Sequence, residues 1–92
     1  PYLAAKGGVL NLTRALAAEF GEYGITVNCI SPGQVPRIDT NVDQIETFRN
    51  MVPLRRTGLP EDLKGSLALL ASDAGVWITG QEIRIDGGWS IW

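Results

Sequence analysis

Residues 25–33 read ITVNCISPG. The stretch 25–31 is rich in apolar and β-branched residues, which predicts a short buried strand, and Pro32-Gly33 ends it abruptly. Upstream the period changes. Ala5, Val9, Leu12, Leu16 and Phe20 recur at steps of three and four, which predicts a helix over 2–20. Ala4, Ala15, Ala17 and Ala18 widen that stripe with side chains small enough for a second helix to approach, so this helix is expected to pack on two sides. Gly21 and Gly24 are stop signals. Gly7 and Gly8 lie inside the helix, where each costs about 1 kcal/mol relative to Ala. A packed neighbour, a nearby ligand and simple tolerance all account for them.

Downstream of the strand, residues 33–41 form a loop with a second proline, Pro36. Val42, Ile45, Phe48 and Val52 predict a helix near 41–52, with Pro53 just beyond it. Residues 54–59, LRRTGL, are a basic loop. Pro60 suits a first helical turn, and Glu61 and Asp62 suit the positive end of the dipole. Leu63, Leu67 and Leu70 give that helix, near 60–72, its core face. QEIRID, 81–86, alternates polar and apolar as a strand does, and Gly87-Gly88 closes it. The order is helix, strand, helix, helix, strand. Two strands joined by a long helical connection predict a parallel pair with a right-handed crossover, an α/β arrangement.

Composition sets the outer limits. With 92 residues, 45% hydrophobic and 20% charged, the chain has room for one small globular domain. A net charge of −2 with scattered basic residues gives no footprint for nucleic acid. No apolar run has the length of a membrane span and no signal peptide opens the chain. Cys29, the single cysteine, reads as a buried thiol that fits a reducing cytoplasm. Histidine is absent, so no Ser-His-Asp or Cys-His nucleophile can be built from this chain, and no His/Cys cluster for zinc either.

Tyr2 and Lys6 open the first helix four residues apart, one turn along a single face. A free phenol titrates near ~10, too high for proton exchange at neutral pH. An ammonium held nearby favours the phenolate and lowers that value. Such a pair can serve as general acid/base between a hydroxyl and a carbonyl. Taken alone, Y-x-x-x-K is a weak motif that occurs often by chance, and a surface or core tyrosine with a solvated lysine explains it first.

The pair does not stand alone. YLAAK is followed by GGVLNLTRALAAEFGEYGITVNCISPG, then PLRRTGLPEDL, LALLASD and ITGQEIRIDGG. In that order and spacing these segments resemble the C-terminal half of the short-chain dehydrogenase/reductase family over nearly the whole chain. SPGQVPR and DGGWSIW resemble its gluconate 5-dehydrogenase-like and 3-oxoacyl carrier-protein reductase-like members. The resemblance implies the C-terminal portion of a Rossmann-like doubly wound parallel sheet, incomplete as a domain, with residues 1–92 as part of one dinucleotide-binding domain. It implies NAD or NADP as cofactor, a small carbonyl or alcohol substrate, and a homo-oligomer, dimer or tetramer.

By the same resemblance Tyr2 is the catalytic acid/base. Lys6 lowers its pKa and holds the nicotinamide ribose. Pro32 and Gly33 form the turn beside the nicotinamide, and the Val35 backbone holds the carboxamide. Ligands in open α/β sheets do sit beyond the carboxyl ends of strands, and a Pro-Gly turn lets backbone approach a flat ring. One place departs from the family pattern. Where a threonine often follows the Val35 position by two, this chain has Arg37. Thr40 could replace it, but Thr40 with Asp43 also reads as a capping box. The family's glycine-rich phosphate loop, cofactor-selecting residue, Asn-Ala-Gly segment and catalytic serine have no counterpart here. The expectation is therefore a fragment beginning one residue before its tyrosine, folded only as a tight oligomer or beside its other half. Trp89 and Trp92 are candidates for burial at a subunit interface or, equally, against their own domain. An alternative of another class is a non-catalytic oligomerisation module, with Tyr2 and Lys6 a relic.

Overall fold

The computed structural model describes residues 1–91; Trp92 and its expected place at an interface lie outside the described residues. In chain order the elements are α1 (Tyr2–Phe20), β1 (Cys29–Pro32), α2 (Val42–Met51), α3 (Lys64–Ala71) and β2 (Glu82–Ile85). Short 3-10 turns cover Gly21–Tyr23, Pro60–Leu63, Asp73–Gly75 and Trp89–Ile91. This is the α/β order expected. The chain falls into two compact units, one of Pro1–Ile30 with Ser66–Ile83, the other of Ser31–Gly65 with the residues from Arg84 on.

In the first unit α1 runs over the predicted span. The Pro1 carbonyl accepts the Ala5 amide at 2.8 Å, so the helix starts at its first possible turn. At the other end the Gly21 amide still bonds Ala17, and the left-handed terminator is Gly24, at φ 74°. The packed line of α1 differs from the apolar stripe. Thr13 and Ala17, one turn apart, are its buried residues. The Thr13 hydroxyl donates back to the Val9 carbonyl at 2.8 Å and so needs no other partner. Ala17 packs against Gly80: a Cβ there would sit 3.5 Å from the Ala17 methyl. Leu16 and Phe20 are half-buried, whereas Ala5, Val9 and Leu12 are exposed, Leu12 by 56%. Small side chains, not the large ones, decide where this helix docks. Leu67, expected in the core of α3, is 58% exposed as well.

Strand β1 is shorter than the predicted 25–31, for a local reason. Side chains join the backbone there: the Val27 carbonyl still accepts the Gly80 amide at 2.7 Å, but its neighbours pair otherwise. The Val27 amide donates to the Thr79 hydroxyl at 3.0 Å, and Asn28 Nδ2 donates to the Ile78 carbonyl at 2.8 Å. Asn28 Oδ1 accepts the Gln81 amide at 3.1 Å. The ladder proper begins with the Cys29 amide on the Gln81 carbonyl and ends with Gly33 on Ile85, both at 2.9 Å. Both partners advance by four residues in the same direction, so β1 and β2 are parallel. Cys29 is half-buried where full burial was expected.

In the second unit the loop after β1 turns over Arg37–Thr40. The Thr40 amide bonds the Arg37 carbonyl at 3.0 Å, and the Arg37 amide donates to the Thr40 hydroxyl at 2.8 Å. The expected Thr40 cap is therefore corrected. Asn41 caps α2, its Oδ1 accepting from the Asp43 amide at 2.7 Å, while the Thr40 hydroxyl is spent on the preceding turn. Val52, 4% exposed, is the apolar anchor of this unit. The chain then turns through Arg55, at φ 56° the one non-glycine with positive φ among the described residues. Its guanidinium holds the Asn50 carbonyl at 2.6 Å.

Asp86 organises the segment after β2. Its Oδ1 accepts the Gly88 amide at 3.0 Å and its Oδ2 the Ser90 amide at 3.3 Å. Gly87 and Gly88 follow at φ 65° and 95°. Both also abut the end of α2: a Cβ on Gly87 would lie 2.6 Å from Val52 Cγ1, and one on Gly88 2.8 Å from Pro53 Cγ. The pair is glycine for conformation and for space.

Candidate active site

Tyr2 and Lys6 occupy the first turn of α1, four residues apart and hence on one helix face. Both are exposed, Tyr2 by 72%. The phenol is open to solvent or to a ligand, with the ammonium one turn along the helix. They belong to the first unit, whereas Pro32, Gly33 and Val35 belong to the second.

Pro32 is the last residue of β1. Gly33 follows, and its missing side chain has a structural cause: a Cβ there would stand 2.8 Å from both Cα and Cβ of Asp86. Two residues on, Val35 reaches a hollow of about 150 Å3 lined by Gly33, Val35, Val52, Arg56, Asp62 and Ile85 among others. The structure thus brings Gly33 and Val35 to one cavity. That cavity is smaller than the ~300–1,000 Å3 of a site enclosing a whole drug-sized ligand. It suits one end of an extended molecule.

Four residues at this cavity carry weight that the sequence reading did not assign. Arg56 grips Asp62 with both arms of its guanidinium, Nη1 to Oδ2 at 2.7 Å and Nη2 to Oδ1 at 3.0 Å. Asp62 Oδ2 also accepts the Leu59 amide at 2.7 Å. The hydrogen bonds from Arg56, first, and from Leu59 hold the Asp62 carboxyl down from 3.8 to about 2. Between them in sequence, the Gly58 amide donates to the Gln34 carbonyl at 2.8 Å. Pro60 followed by Asp62 signals a turn start, but nothing in the sequence signals that Arg56 answers Asp62. Asp86 has its carboxyl lowered too, chiefly by the Ser90 hydroxyl and, against some desolvation, by the Gly88 and Ser90 amides and Arg84. Its signal, an Asp before Gly-Gly, was readable.

Among the described residues no cluster of His, Cys, Asp or Glu could hold a metal ion, and no helix is long and apolar enough to cross a membrane.

Residues 1–90 match the family described as enoyl-(acyl carrier protein) reductase. The chain is 40% identical over 90 residues to the 3-oxoacyl-(acyl-carrier-protein) reductase of Rickettsia felis, covering 95% of itself and 37% of that protein. It is 38% identical over 93 residues to the 2-dehydro-3-deoxy-D-gluconate 5-dehydrogenase of Dickeya dadantii, covering 96% of itself and 37% of the relative. A short-chain dehydrogenase of Leptospira borgpetersenii, solved with NAD+ bound, superposes with a TM-score of 0.91 at 39% identity, over 97% of this chain and 35% of that one. The chain therefore spans little more than a third of the proteins it matches. With its parallel pair, its helices and these relatives, it belongs to the short-chain dehydrogenase/reductase family and carries part of that family's Rossmann-like sheet.

Proposed function

We propose that residues 1–92 are the C-terminal portion of one dinucleotide-binding domain, in an oxidoreductase that interconverts a carbonyl and a secondary alcohol with NAD or NADP. The observation that carries this reading is the placement of Tyr2 and Lys6 one turn apart on the open face of α1, in a chain of this family. When bound, the nicotinamide would supply the hydride that the carbonyl carbon accepts in the reducing direction. Tyr2 Oη gives its proton to the carbonyl oxygen, and Lys6 steadies the phenolate left behind. In the oxidising direction the phenolate takes the hydroxyl proton. Pro32, Gly33 and the Val35 backbone would hold the nicotinamide end. The chain has no glycine-rich turn opening a helix, so it holds that end and not the phosphates.

The full-length protein containing this chain tests the reading. Tyr2→Phe removes only the transferable proton, and hydride transfer from NADH or NADPH to a carbonyl substrate should fall by roughly 10²–10⁴. Lys6→Met should weaken both turnover and cofactor binding. Turnover by Tyr2→Phe at the wild-type rate would sink the assignment. A second reading, an association module with Tyr2 and Lys6 as a relic, is favoured by the exposure of Leu3, Leu12, Leu67 and Trp77. It gains if no variant of either residue changes any turnover.

A further inference from the structure

We propose that Arg56 and Asp62 are positioning residues: acting through Gly58, they fix the Gln34–Val35 peptide and so set the aim of the backbone that receives the nicotinamide carboxamide. This rests on the reading above and names residues outside it.

The geometry forms a short mechanical chain. The two-armed contact between Arg56 and Asp62 closes a loop over residues 56–62. The Arg56 Nη1 donates to the Thr57 carbonyl at 3.0 Å as well, and the Asp62 amide bonds the Leu59 carbonyl at 2.9 Å. The loop is thus tied at both ends and within. Isolated exposed pairs contribute little, but a forked Arg–carboxylate contact fixes direction as well as distance. Gly58 sits inside this loop and its amide holds the Gln34 carbonyl at 2.8 Å.

Position 58 is tight for a side chain. A Cβ there would come 3.1 Å from Val35 Cγ2 and 3.3 Å from the Gln34 oxygen. Gly58 is therefore pressed against both residues it orients. The Gln34 C=O and the Val35 N–H belong to one planar peptide unit and point in opposite directions. Anchoring the carbonyl on Gly58 turns the Val35 N–H the other way, and a change in the loop swings that N–H. A hydrogen bond weakens steeply with misalignment, so a small rotation is enough to matter.

The test uses the full-length protein with Asp62→Asn, which weakens the fork, Arg56→Lys, which keeps the charge but not the two arms, and Gly58→Ala. Each is assayed with NAD(H) or NADP(H) and with the analogue whose carboxamide is replaced by an acetyl group, which keeps a carbonyl but lacks the amide donors. KM for the natural cofactor should rise about tenfold, with a smaller change in KM for the carbonyl substrate. Because the misaligned backbone no longer rewards the carboxamide, the preference for the natural cofactor over the analogue should shrink by a similar factor. A merely structural loop would lower activity with both cofactors equally, and that result, or unchanged kinetics in all three variants, overturns the proposal. A melting curve confirms that each variant remains folded; if Gly58→Ala does not, Arg56→Lys carries the test. Absence of hydride transfer in the wild type would instead sink the underlying reading.

Discussion

Asn28 bridges two segments at once: its Nδ2 donates to the Ile78 carbonyl and its Oδ1 accepts from the Gln81 amide. It does at the entry to the parallel pair what a further rung of backbone hydrogen bonds would do. Asn28→Ala removes both bonds and strands two backbone groups, so it should destabilise the protein by roughly 1–3 kcal/mol. Asn28→Asp should cost as much, since a carboxylate cannot donate to the Ile78 carbonyl. Chemical denaturation of the two variants measures this; a loss confined to Asn28→Ala would contradict the donor role.

Acid should release the 56–62 loop. The Asp62 carboxyl lies lower in the folded chain, at about 2, than its ordinary 3.8. A depressed folded value means that the folded state prefers the carboxylate. The stabilisation is complete above about 4 and is lost as pH falls toward 2. The difference in melting temperature between wild type and Asp62→Asn should therefore be constant from pH 7 to 5 and shrink between about pH 4 and 2. A difference that persists unchanged at pH 2 would show that Asp62 acts by shape and not by charge.

The same substitution should act in opposite directions at two glycines. A Cβ at Gly8 meets nothing within 4 Å, and the residue lies in the interior of α1. Gly8→Ala should stabilise by up to about 1 kcal/mol through helix propensity. Gly88 has φ 95° and Pro53 where its Cβ would go, so Gly88→Ala should destabilise by roughly 1–3 kcal/mol. Thermal unfolding distinguishes the two. Destabilisation by Gly8→Ala would mean that α1 is covered on that face by something beyond these residues.

The parts legible in the sequence were those with a period. α1 was read to the residue because three-and-four spacing persists over five turns. The strands were placed but their ends were not, because pairing at Val27 and Asn28 runs partly through Thr79 and Asn28 side chains, which no alternation pattern encodes. The packed line of α1 was misread for a related reason. Periodicity identifies the apolar residues, but Thr13 and Ala17 are the ones small enough to be enclosed. The cap of α2 was missed by one residue because Thr40 and Asn41 can both cap, and only the turn at Arg37 decides between them. At the candidate site, Tyr2, Lys6 and the Pro32-Gly33 turn were visible as residue types at fixed spacing. Arg56, Gly58 and Asp62 were not, since what joins them to Gln34 is loop geometry between segments remote in the chain.

The Asp86 carboxylate bears on how the molecule ages. Among aspartyl dipeptides Asp-Gly is the most prone to cyclise: the following amide nitrogen attacks the side-chain carboxyl carbon, water leaves, and the ring takes up water to reopen as isoaspartate or aspartate. Here both carboxylate oxygens are occupied by amides further along, those of Gly88 and Ser90. Damage at Asp86-Gly87 on storage therefore marks molecules in which those two bonds had first let go, a chemical record of transient opening at the end of β2.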